Sequence, residues 1–189
     1  MASPLTSPGS NSKLLITPAG ILNKNACIVL VKTAWNAAIV DELENGCITV
    51  LQKHDVKKII TLSVPGAFEI PFTIKRYWKN SGKKNKPGAF IALGCIIKGD
   101  TPHFDYVCKA ITDGVLQLNL SLPVPTIFGV LTVNNEQQAR ERIGGKHGHK
   151  GEEAAITALK MILPPEVRNL SKSPVAQKRK LSSGKSDKK

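Results

Sequence analysis

The chain has 189 residues, 41% of them hydrophobic, and 27 basic against 14 acidic side chains give a formal net charge of +13. That apolar share suffices for one domain with its own core, and no run of 18 apolar residues offers a membrane span. The four cysteines, Cys27, Cys47, Cys95 and Cys108, lack CxxC spacing. This argues against zinc and a disulfide framework, and for buried free thiols in a reducing compartment.

Residues 1–20 read as a flexible arm, because Met1 to Ser12 is rich in Ser and Pro. The arm lacks the charged and apolar segments of a secretory signal, so the expected location is cytoplasmic. A domain over residues 21–165 follows. Ala26 to Val31 (ACIVLV) is a buried-type strand, and Val40, Leu43, Cys47 and Leu51 then recur at helical spacing, with Gly46 weakening the middle of that helix. Lys57-Lys58 opens a second strand, Ile59 to Val64, which stops at Pro65-Gly66 before a helical pattern from Ala67 to Tyr77. Ser81 to Lys86 is a basic surface loop.

The next stretch, FIALGCIIKGDTPHFDYVC from Phe90 to Cys108, changes character twice. Phe90 to Ile97 is almost wholly apolar without period-2 alternation, as in a parallel strand covered on both faces. Lys98-Gly99-Asp100-Thr101-Pro102 cannot continue it, and from His103 the residues Val107, Ile111, Val115 and Leu118 keep helical spacing. Val124 to Val133 is a further buried-type strand, and Asn134 or Asn135 caps a short helix bearing Glu136, Ala139 and Arg142. GGKHGHKG (Gly144 to Gly151) breaks that helix, Ala155, Leu159 and Ile162 line a last one, and Pro164-Pro165 ends the domain. Residues 166–189 form a basic tail expected to be disordered: from Lys172 on, seven basic residues face one acidic, leaving 20 and 13 for the rest. No RNA-binding aromatic motif or zinc finger accompanies it, so it reads as a solvated tail without a dedicated nucleic-acid partner.

Four strand–helix alternations indicate an α/β fold of three layers, with a four-stranded parallel sheet between helices. Right-handed crossovers bring the four strand-to-helix turns to one edge, where such folds bind ligands. Those turns are Trp35-Asn36, Pro65 to Glu69, Lys98 to His103, and Thr132 to Asn135. Aromatic rings, a carboxylate, a histidine and helix N-termini suit a flat, polar, anionic small molecule. GxxxxGK[ST] and GxGxxG are absent, which disfavours the common nucleotide-phosphate sites. His147 and His149 without further ligands make a poor metal site and read as part of a structural turn, so no metal is expected. On residues alone, His103 serves as a helix cap or a catalytic group, Trp35 and Phe128 as core or stacking aromatics at strand ends, Glu69 as a dipole partner or a ligand, and Lys150 as a surface cation or a site cation.

PGAFEIP (Pro65 to Pro71), GCIIKGDTPHFDYVC (Gly94 to Cys108), PTIFGVLTVNNEQQARERIGG (Pro125 to Gly145) and KHGHKGEEAA (Lys146 to Ala155) resemble, in order and spacing, the successive signatures of the lumazine synthases. The resemblance runs from about Ala26 to Leu163. It implies a flavodoxin-like sandwich whose sheet a neighbour's N-terminal strand can extend. It also implies the penultimate step of riboflavin biosynthesis: condensation of 5-amino-6-(D-ribitylamino)uracil with 3,4-dihydroxy-2-butanone 4-phosphate, releasing phosphate and water without a cofactor. Carried over residue by residue, Trp35 stacks on the pyrimidine with Asn36 beside it. Ala67, Phe68 and Glu69 hold the ribityl chain and ring edge, and Cys95, Ile96 and Ile97 offer backbone groups. Asp100 and Thr101 contact the phosphate ester, and His103 moves protons. Phe128, a second stacking ring, Arg142, the phosphate ligand, and Lys150, a supporting cation, arrive from a neighbouring subunit. Lys98 stands where arginine is frequent, and it keeps the charge but loses the planar fork.

The partners so implied are the two substrates, four further copies in a homopentamer, and riboflavin synthase as pathway neighbour. The short Gly144–Gly151 loop resembles members that close into a sixty-subunit icosahedral capsid, whereas pentameric members often carry an insertion there. Two rivals stand beside the enzyme. A silent flavin- or lumazine-binding module would need the aromatics but not both His103 and Arg142, and a nucleic-acid-associated protein would need basic residues organised on the folded domain. Riboflavin synthase activity is disfavoured by the absence of an all-β pattern.

Overall fold

The computed structural model describes residues 26–82 and 85–162. The expected arm, the basic tail and the Pro164-Pro165 stop lie outside them. The runs of β-formers become β1 (Cys27–Thr33), β2 (Lys58–Val64), β3 (Ala89–Ile97) and β4 (Thr126–Val133). All pair parallel in the order β2-β1-β3-β4. In β1, Ile28 to Val31 are wholly buried, as are Ala89 to Leu93 in β3. Those central strands are covered on both faces, which is why their sequences are continuous apolar runs. β2 forms one rim of the sheet and shows solvent an alternating, partly polar face.

Side chains alternate across the sheet and sort into two cores. Ile28, Leu30, Ile91 and Leu93 pack with α1 (Ala37–Lys53) and α5 (Lys150–Ile162). Val29, Val31, Phe90 and Ala92 pack with α2 (Ile70–Asn80) and α3 (His103–Ser121). The result is the expected three-layer α/β/α arrangement. Lys32, near the end of β1, donates to Asp41 Oδ1 at 2.8 Å and Glu44 Oε2 at 2.5 Å on α1, and Thr61 Oγ1 on β2 reaches Glu44 Oε1 at 2.7 Å. The bonds to Asp41 and Glu44 hold the Lys32 ammonium charged, raising its pKa. Among the described residues no helix is long and apolar enough to cross a membrane.

Several local expectations are revised. α1 runs unbroken for 17 residues through Gly46, although glycine costs about 1 kcal/mol relative to alanine inside a helix. The pattern from Ala67 starts as one 3-10 turn, Ala67–Glu69, before α2 begins at Ile70. Of the two candidate caps for α4 (Glu136–Arg140) it is Asn135 whose Oδ1 accepts from Gln138 N, at 3.0 Å. α4 ends at Arg140, so Arg142 lies in the turn beyond the helix expected to bear it. The glycine-rich stretch is a small antiparallel hairpin, β5 (Ile143–Gly145) and β6 (Gly148–His149), and α5 starts directly after it. Gly144 and Gly148 take φ of 108° and 80°, a region glycine enters without strain.

Candidate active site

The strand order doubles back between β1 and β3: the chain leaves β1 for β2 on one side, then returns to β3 and β4 on the other. The crevice at their carboxyl ends is the switch point where open parallel sheets bind ligands. Several bonds set its walls. Ala34 N donates to Val64 O at 2.8 Å, Trp35 N to Pro65 O at 3.4 Å, and Lys98 N to Val133 O at 2.8 Å. Asn36 spans the crevice itself, its Nδ2 donating to Cys95 O at 2.8 Å. Its backbone is left-handed, φ 56° and ψ 41°, a conformation asparagine tolerates better than most residues.

β3 outruns β1. Its pairing with β1 ends at Leu93, whereas that with β4 continues to Ile97. Among the described residues the β1-facing backbone at Cys95 to Ile97 therefore has no strand partner, and Asn36 takes part of it. That segment is the expected source of backbone contacts, and the missing strand supplies the opening.

Trp35 is 74% exposed and Phe68 64% exposed, so neither ring is a core aromatic. Both flank the crevice from the β1 and β2 turns. Ala67 beside them is buried. Glu69 does cap its turn, Oε2 accepting from Gly66 N at 3.0 Å. After β3, Asp100, Thr101 and His103 are exposed on the turn into α3. The first backbone bonds of α3 run from Asp105 and Tyr106 to Pro102 O, at 3.0 and 3.5 Å. The N–H groups of His103 and Phe104 precede them, and with the dipole they favour an anion at this corner.

Two expected residues gather elsewhere, and a third stands apart from both groups. Arg142 and Lys150 line a cleft of about 440 Å³ with Val130 to Val133, Gln138, Glu141 and His147. None of Trp35, Asn36, Phe68, Glu69, Asp100, Thr101 or His103 lines it. Phe128 is the third residue of β4, opposite Ala92, rather than at a strand end, and its ring is half-buried against the α2/α3 core. One chain therefore carries two groups of candidate residues, one at the carboxyl edge and one along β4, the other rim of the sheet.

The second group contains a residue the sequence did not single out. Arg142 Nη2 donates to Glu153 Oε2 at 2.9 Å, and Lys150 Nζ lies 3.6 Å from the same oxygen. Arg142 Nη1 also donates to His147 O, and Lys150 N donates to Arg142 O at 2.8 Å. The three side chains are partly exposed, so such pairs are worth only ~1 kcal/mol each. Their effect is to fix two cations side by side, with Glu153 shared between them. Lys150 and Glu153 are one turn apart on α5, but Arg142 joins them only through the hairpin, which no periodicity announces. The histidines part company: His147 Nε2 lies 3.4 Å from Glu141 Oε2, while the His149 ring packs over Gly46. No group of three His, Cys, Asp or Glu among the described residues is placed to hold a metal.

Burial pushes the Cys47 thiol up to about 12, with Glu44 adding to it, and the Cys95 thiol up to about 11, with Glu136 adding to it. At pH 8 the thiolate fraction of Cys95 is then about a thousandth or less. Treating the native protein with iodoacetamide at that pH should leave Cys47 and Cys95 unmodified on peptide mass mapping. Stoichiometric labelling of Cys95 would show that the end of β3 opens in solution.

The model of the family described as 6,7-dimethyl-8-ribityllumazine synthase matches residues 25–165. Curated relatives bearing that name agree over most of their length. The Bacteroides fragilis protein is 47% identical over 135 residues, 70% of this chain and 92% of its own. The Parabacteroides distasonis protein is 45% identical over 137 residues, 71% of this chain and 83% of its own. The Porphyromonas gingivalis protein is 46% identical over 140 residues, 73% of this chain and 84% of its own. With the sheet order, the crevice and these matches in agreement, the chain belongs to the 6,7-dimethyl-8-ribityllumazine synthase family.

Proposed function

We infer that the chain catalyses the penultimate step of riboflavin biosynthesis. It condenses 5-amino-6-(D-ribitylamino)uracil with 3,4-dihydroxy-2-butanone 4-phosphate to give 6,7-dimethyl-8-ribityllumazine, phosphate and water. The observation that carries this reading is the pairing of an open, aromatic-flanked crevice bearing His103 with a separate two-cation cleft bearing Arg142 and Lys150. The pyrimidine stacks on Trp35, with the Asn36 turn and the backbone at the end of β3, Cys95 to Ile97, meeting its polar edge. Ala67, Phe68 and Glu69 hold the ribityl side.

The steps explain the residue types. The pyrimidine amine attacks the ketone, and loss of water forms an imine. Phosphate then departs, and ring closure releases the second water. Each step moves a proton near neutral pH, the range of a histidine, and His103 stands where it can exchange them. The leaving phosphate needs charge compensation. Asp100 and Thr101 with the first N–H groups of α3 serve it from one side, and the Arg142 fork with Lys150 from the other. Holding two substrates in one geometry supplies much of the remaining acceleration.

With one group at the carboxyl edge and the other along β4, a complete site takes a second copy. Its β4 rim presents Phe128, Arg142 and Lys150 to the first copy's crevice, and five copies closing a ring give the pentamer. The short β5–β6 hairpin fits further assembly into a sixty-subunit shell. Among the described residues β2 pairs only with β1, and its other rim is where a neighbour's N-terminal strand would add.

Mixing the protein with both substrates and recording lumazine absorbance tests the activity. A silent binding module would show ligand affinity and no turnover. Arg142→Ala should raise KM for the butanone phosphate about tenfold or more, as loss of a charge-assisted contact does, and change KM for the pyrimidine little. Equal effects on both would remove Arg142 from the phosphate.

A further inference from the structure

Gly46 looks like a flaw in α1, yet the helix passes through it without a bend-forming residue nearby and its φ is not positive. Its cause lies across the groove between α1 and the hairpin. A Cβ at Gly46 would stand 2.2 Å from His149 Cε1, 2.6 Å from Nε2 and 2.7 Å from Nδ1. All three are atoms of one imidazole, so the ring fills the notch that the missing methyl leaves. Glu152 N in the first turn of α5 also donates to His149 Nδ1, at 3.4 Å. The ring is therefore held between the backbone of α1 and the start of α5.

His149 is also joined to the cations. It pairs across the hairpin with Ile143, which follows Arg142, and it precedes Lys150, whose N–H donates to Arg142 O at 2.8 Å. Glu153, bonded to the Arg142 guanidinium, lies on the same first turns of α5. A shift of the imidazole therefore moves both ends of the Arg142–Lys150 pair. The link is carried by hydrogen-bonded backbone, since His149, Ile143, Arg142 and Lys150 are only half-buried.

We propose that His149, seated in the Gly46 notch, is a positioning residue that sets Arg142 and Lys150 for the phosphate ester. This rests on the reading of that cleft as the phosphate half of the site. Gly46→Ala evicts the ring, and His149→Ala removes it. Either should raise both KM for the butanone phosphate and the inhibition constant of inorganic phosphate about tenfold, the scale of a sub-ångström misplacement. KM for the pyrimidine should stay within about twofold. The double variant should be no worse than His149→Ala alone, because the added methyl then meets no ring.

Additive losses in the double variant, or equal losses for both substrates that track thermal stability, would overturn the proposal. Arg142→Ala is the control for the underlying reading: if it leaves phosphate inhibition unchanged, the cleft is not the phosphate half. The contact is then judged by hydrogen exchange alone. The Lys150 amide should exchange about tenfold faster in Gly46→Ala than in the parent protein, and unchanged protection would refute the link.

Discussion

Gly151→Ala is expected to lower the melting temperature by about 4–8 °C. The added Cβ would stand 2.0 Å from Leu43 O, 2.8 Å from Leu43 C and 3.0 Å from Leu43 Cα. All three are backbone atoms of α1, so no side chain can swing away to make room. α1 and α5 would have to separate. The core between them, with Leu43, Cys47, Ala154, Ala155 and Leu159 wholly or nearly buried, would separate with them. Overpacking of this kind costs up to about 3 kcal/mol or more, and the better helix propensity of alanine returns at most about 1. For a domain of this size each kcal/mol moves the melting point by about 2–4 °C. Differential scanning calorimetry decides it, with Gly82→Ala as control, since among the described residues nothing lies within 4 Å of that Cβ. A Gly151→Ala protein that melts with the parent would mean that α1 and α5 do not meet at Leu43.

The contrast between Gly46 and Gly151 marks how far the sequence could be read. The four strands and the long helices were legible to within a few residues, because buried parallel strands are continuous apolar runs and helices keep their spacing. The carboxyl-edge crevice followed from the handedness of the crossovers. Trp35, Asn36, Glu69 and His103 were placed on its turns without any contact being known. What failed to show was close approach. Glycine in a helix reads as weakness from the sequence, whereas in space it is the place where a partner comes near. The β5–β6 hairpin has strands of three and two residues, too short for any period to register. With the hairpin hidden, so were the end of α4 before Arg142 and the link from Arg142 to Glu153, eleven positions along. Phe128 was misjudged for a related reason: its run was recognised as a strand, but residue type alone does not say how far along the strand a ring sits.

Co-assembly of two crippled variants is expected to restore activity. His103→Ala alone should be slowed about a hundredfold or more, the usual yield of general acid–base catalysis, and Arg142→Ala should be slow at low butanone phosphate. On the proposed assembly, with His103 in the crevice and the Arg142 cleft along β4, each complete site would draw His103 from one copy and Arg142 from the next. A ring refolded from equal amounts of the variants then contains sites of three kinds. About a quarter join an intact His103 to an intact Arg142, a quarter carry both defects, and half carry one, by independent placement with local effects. At low butanone phosphate, turnover per chain should approach about a quarter of the parent value, above the tenth or less expected of Arg142→Ala and the hundredth or less of His103→Ala refolded alone. Mass measurement must first establish that the rings are mixed. If mixed rings turn over at only the mean of the two variants, His103 and Arg142 serve the same chain's site, and the β4 cleft is not offered to a neighbour.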